Sequence, residues 1–76
     1  MDAIIEEIYE KIHAFGVKNS GKHPNWLYIN HDHYYQIMSL QHIHSYAQID
    51  QQFGKPKTIL GMQYEIKKDL EEIEVQ

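Results

Sequence analysis

Three features of the sequence predict a small single domain of the α/β or α+β class. They are an amphipathic helical repeat over residues 2–15, strand-like apolar runs at 26–29 and 58–66, and helical spacing between those runs. Seventy-six residues fill one domain, 1–76, and leave no room for a large multi-step enzyme. Leu, Ile, Val and Phe make up 19 of the 76 residues, which exceeds the roughly 20% below which chains stay unfolded. A chain of this size buries only about 60% of its unfolded surface. With no cysteine for a disulfide, self-association is an expected source of further burial.

The N-terminal helix lies within residues 1–16. Ile4, Ile5, Ile8, Tyr9, Ile12 and Phe15 recur at steps of three and four, with Glu6, Glu7, Glu10 and Lys11 on the opposite side. Asp2 is placed to cap it, and Gly16 offers a left-handed stop. Residues 17–25 carry Asn19, Ser20, Gly21 and Pro24 and read as a surface loop.

The segment 24–66 reads as a strand–helix–strand unit. Trp26-Leu27-Tyr28-Ile29 packs aromatic and β-branched residues into a short, largely buried strand, and Asn30 closes it and caps the next element. From His31 to about Phe53 the spacing of Tyr34, Ile37, Met38, Gln41 and Ser45 predicts a helix, with a break near Ser39 or His42 and an end at Gly54 and Pro56. Residues 58–66 alternate, Leu60, Met62, Tyr64 and Ile66 on one face and Gly61, Gln63 and Glu65 on the other, which predicts a half-buried strand. Two strands joined through a helix suit a parallel βαβ crossover in a sheet of two or three strands, with the acidic tail 67–76 either adding the third, edge strand or fraying. Such a sheet leaves an open edge that another copy would cover.

Charge narrows the classes of function. All seven basic residues are lysines against eleven acidic ones, for a formal charge of −4. Without arginine the chain lacks the planar fork that reads guanine edges, so sequence-specific nucleic-acid binding is not expected. Non-specific binding would need a local patch of Lys18, Lys22, Lys55 and Lys57. No apolar run approaches the length of a membrane span, and the acidic start does not resemble a signal peptide. The expectation is a soluble cytoplasmic protein with no membrane partner and no cofactor.

Histidine is the compositional outlier. His31 and His33 flank Asp32 at the expected strand-to-helix turn, and His42 and His44 form a second H-x-H pair. Residues two apart share a face on a strand but diverge by roughly 200° on a helix, so a metal site is the alternative reading, with His31, Asp32 and His33 as its ligands. No nucleophile elbow, phosphate loop or dinucleotide fingerprint is present, and no catalytic residue is assigned.

Residues 34–49 contain no Asp, Glu, Lys or Arg, yet are rich in Gln, Ser, His and Tyr. Depletion of charge with enrichment of Tyr and Met marks a protein interface, predicted here at Tyr34, Tyr35, Met38, Gln41, His42, His44, Ser45 and Tyr46. The aromatic residues of 26–28 are expected in the core rather than as a stacking platform.

The runs Pro24-Asn25-Trp26-Leu27-Tyr28-Ile29-Asn30, His33-Tyr34-Tyr35 and Ile59-Leu60-Gly61-Met62-Gln63-Tyr64-Glu65-Ile66, followed by Asp69-Leu70, resemble a strand–helix–strand pattern of small accessory proteins of tailed bacteriophages and prophages. The likeness spans residues 24–70. It implies a viral accessory protein acting by binding in the bacterial host cytoplasm, as an assembly component or an inhibitor of a host system.

The expected function is thus a non-enzymatic protein–protein interaction module that also forms a homo-oligomer; the alternative is a metal- or small-ligand-binding protein using His31, His33, His42 and His44. Charging all six histidines would carry the formal charge from −4 to positive. A histidine-lined oligomer should therefore change mass between about pH 5 and pH 8 in native mass spectrometry, and an unchanged mass would reject that interface.

Overall fold

A computed structural model describes residues 2–76. The isoleucine stripe folds as predicted into α1 (Ala3–Lys18), burying Ile4, Ile5 and Ile8. Asp2 occupies the cap position in extended conformation, but its side chain makes no capping bond; its carbonyl accepts from the Ile5 and Glu6 amides instead. The helix runs two residues past Gly16. The stop is supplied by Ser20 (φ 57°) and Gly21 (φ 80°), with the Gly21 N–H donating to the Gly16 carbonyl at 2.7 Å.

After the loop, β1 (Trp26–Ile29) is the central strand of a three-stranded sheet in the order β4-β1-β5. It pairs in parallel with β4 (Gln63–Ile66), Trp26 opposite Gln63 and Tyr28 opposite Glu65. It pairs antiparallel with β5 (Glu74–Val75), Tyr28 opposite Glu74, so the tail does supply the expected third strand. The Gln76 N–H donates to the Trp26 carbonyl at 2.9 Å and closes that edge.

α2 (His31–Met38) starts at a reciprocal cap. The Asn30 Oδ1 accepts from the His33 N–H at 2.8 Å, and His33 Nδ1 accepts from the Asn30 N–H at 3.1 Å. The Asn30 amide also donates to the Leu70 carbonyl at 2.9 Å, tying the helix start to the tail.

The predicted helix 31–53 is only partly formed. It ends at Met38, and the chain continues through a single 3₁₀ turn (Ile43–Ser45) into β2 (Ala47–Asp50), which pairs antiparallel with β3 (Lys55–Ile59) in a separate two-stranded sheet. Short apolar repeats fit either period, and here pairing with β3 supplies the backbone hydrogen bonds. Gly54 (φ 68°) closes the hairpin loop rather than ending a helix, and Asp50 Oδ1 accepts from the Gln52 N–H at 3.0 Å within it. Pro56 sits at a register shift between β2 and β3, where a missing N–H is tolerated.

The predicted strand 58–66 is in fact two strands in two different sheets. Leu60 (φ 51°) and Gly61 (φ 79°) form a two-residue turn, with Ile59 and Met62 exchanging backbone hydrogen bonds at 2.9 Å in both directions. Gly61 is a turn signal but leucine is not, because its Cβ disfavours the left-handed region. Beyond the turn the predicted alternation holds, with Tyr64 and Ile66 half-buried and Gln63 and Glu65 exposed.

These elements define a small α+β domain. Its core joins Ile4, Ile5 and Ile8 of α1 to Leu27, Ile29, Ile37, Ala47, Ile59, Met62 and Ile73, and among the described residues no polar or charged side chain is buried. Asn30→Ala removes the cap of α2 and the tie to Leu70 together, so urea unfolding should show a loss of about 1–2 kcal/mol. His33→Gln, which keeps an acceptor at the third helical position, should lose less than His33→Ala.

Candidate functional site

Alternation along β1 sends Leu27 and Ile29 inward, both fully buried, and Trp26 and Tyr28 outward. β1 is therefore half-buried, not the largely buried strand its apolar composition suggests, and Trp26 is 39% exposed. Its ring stacks on that of Tyr28 with centroids 6.3 Å apart and planes 9° from parallel. The two parallel rings form an aromatic plate on the outward face of the central strand, Trp26 exposed and Tyr28 half-buried.

Cross-strand register sets the chemistry around the plate. Residues paired across strands point to the same face, so Glu65 of β4 and Glu74 of β5 flank Tyr28 on its two sides, and Gln63 lies beside Trp26. The Lys67 Nζ stands 4.2 Å above the centre of the Tyr28 ring, a cation–π contact, and the Tyr28 hydroxyl donates to Gln76 Oε1 at 3.2 Å. Among the described residues the one ion pair is Lys11–Glu72 at 3.7 Å, so among them neither Glu65 nor Glu74 is ion-paired, although Glu65 borders one groove with Lys55.

The predicted interface residues are divided. Tyr34 and Tyr46 are half-buried and pack against the core, and the Tyr46 carbonyl accepts the Leu60 N–H. Tyr35 is 71% exposed, and Gln41, His42, His44 and Ser45 are exposed on the turn leading into β2; Met38 is half-buried. Tyr34 stacks on Tyr64 with centroids 6.2 Å apart, and His31, Tyr35 and Lys55 border the same open groove of about 740 Å³. Only part of the uncharged stretch therefore meets in one place, beside β4.

The predicted metal ligands do not converge. His31 and Asp32 are exposed in the first turn of α2, His33 is engaged in the reciprocal cap, and among the described residues no three His, Asp or Glu side chains are placed to hold an ion. No helix among the described residues is long and apolar enough to cross a membrane.

Trp26 and Tyr28 are the surface residues that composition misplaced. The signal that finds them is their period of two against Leu27 and Ile29, concealed because all four side chains are hydrophobic or aromatic. Comparison with protein-family models, curated proteins and solved structures returns no match.

Burial, and secondly the neighbouring Tyr34, raise the Tyr64 phenol above its ordinary value of 10.0. A raised acid binds more protons in the folded state, so its contribution to stability is complete below about pH 10 and is lost as pH rises through the folded value. Tyr64→Phe should flatten the fall in denaturation midpoint above pH 10, and an unchanged slope would contradict the assignment.

Proposed function

We propose that this chain is a non-enzymatic protein-binding module whose contact surface is the outward face of the three-stranded sheet. The observation that carries this reading is the stacked Trp26–Tyr28 plate on a sheet face that no other element among the described residues covers. Aromatic anchors ringed by polar groups are the composition of interaction hot spots, and an aromatic pair on an open sheet face suits a macromolecular partner better than a small ligand, which takes a concave pocket. The exposed Tyr35 and the adjoining groove extend the surface toward the interface expected from the uncharged stretch.

The module acts both on a protein partner and on copies of itself. The phage likeness supplies a setting that such a module fits, as an assembly component or an inhibitor of a host system.

Selection from a displayed random-peptide library tests the surface directly. The wild-type protein should enrich a defined set of sequences, and Trp26→Ala should weaken their capture by about thirtyfold, the effect of losing a central aromatic anchor. Gln48→Ala, on the separate hairpin, should bind as wild type, and circular dichroism should confirm that both variants are folded. An enriched set indifferent to Trp26, or no enriched set, would overturn this reading.

A further inference from the structure

The hairpin of β2 and β3 ends in a tip with the opposite character to the sheet face. Phe53 is 66% exposed at the loop, and Lys55 and Lys57 are exposed on β3; with Asp50 and Pro56 they border one recess of about 280 Å³. Among the described residues neither lysine is ion-paired, and Lys55 borders the groove beside β4 together with Glu65. Tip and face thus present matching parts: an exposed aromatic ring with two exposed ammonium groups, and an aromatic plate with two exposed carboxylates.

We propose that the hairpin tip of one copy docks on the outward sheet face of another, Phe53 stacking on the Trp26–Tyr28 plate while Lys55 and Lys57 reach Glu65 and Glu74. The contact rests on the reading of that face as a protein-binding surface and names its occupant as a second copy of this chain.

Spacing supports the match. Glu65 and Glu74 lie on strands either side of β1, about 10 Å apart, and Lys55 and Lys57 are two residues apart with Lys57 at the bulge of β3, their backbones within about 7 Å, a difference that the long lysine stems cover. Each side also carries one charge of the other sign, Lys67 on the face and Asp50 at the tip, and these are complementary in the same sense. Tip and face adjoin in each copy along the groove that Lys55 and Glu65 border, so the contact closes when two copies exchange tips.

Sedimentation velocity at rising protein concentration tests this on the whole chain. The wild type should assemble beyond the monomer, with a shift in the emission of Trp26, its one tryptophan, and salt at about 1 M should weaken assembly by screening. Lys55→Glu with Lys57→Glu, or Glu65→Lys with Glu74→Lys, should each raise the concentration needed by at least about tenfold, since like charges then face each other. The variant carrying all four substitutions restores the original net charge and the complementarity, and should assemble as wild type. Circular dichroism should show each variant folded.

A monomeric wild type, or two-residue variants that assemble undiminished, would overturn the contact. So would a folded four-residue variant that fails to recover. A monomeric wild type that still captures peptides through Trp26 would refute self-docking alone, whereas loss of both would refute the binding module as well.

Discussion

A single helix of sixteen residues, about 24 Å long, is the only large element among the described residues for covering a sheet. Laid across one face of β4-β1-β5, α1 closes the core through Ile4, Ile5 and Ile8 against Leu27 and Ile29. The second helix has eight residues and buries only Ile37, so among the described elements none remains to cover the other face. This asymmetry dictates the rest. Every outward residue of β1 must be tolerated in water, and Trp26 and Tyr28 meet that condition by stacking on each other and by accepting Lys67 and Gln76 as polar neighbours.

A core made largely of isoleucine, with no buried polar group among the described residues, does little to fix which strand lies beside which. That specificity comes from polar bonds at the element ends. Asn30 caps α2, receives support from His33 and holds Leu70; Gln76 bonds both ends of the Asn25–Trp26 segment and the Tyr28 hydroxyl. These bonds place Glu74 beside Tyr28. The carboxylates that give the outward face its charge are therefore positioned by the same contacts that stop the tail from fraying.

The parts legible in the sequence are those with a redundant signal. The isoleucine repeat of α1, Asn30 as a cap and the alternation of Gln63 to Ile66 each combine a period with a terminus residue, and each forms as read. The hairpin was hidden because Gln41 to Ile49 has too few apolar residues to separate a period of 3.6 from one of 2. The sheet face was hidden for another reason. Burial was inferred from hydrophobic character, whereas exposure depends on which side α1 covers, a tertiary fact absent from any four-residue window. His33 illustrates the reverse: an apparent metal ligand whose ring nitrogen is occupied by a backbone amide three residues back.

Leu60 holds a left-handed backbone that leucine disfavours by about 1–2 kcal/mol, a conformation supported by its N–H bond to the Tyr46 carbonyl and by side-chain packing against the core. Both supports come from outside the turn. The geometry that joins β3 to β4, and with it the β1–β4 pairing that sets Glu65 beside Tyr28, therefore depends on the β2–β3 ribbon seating against the hydrophobic interior.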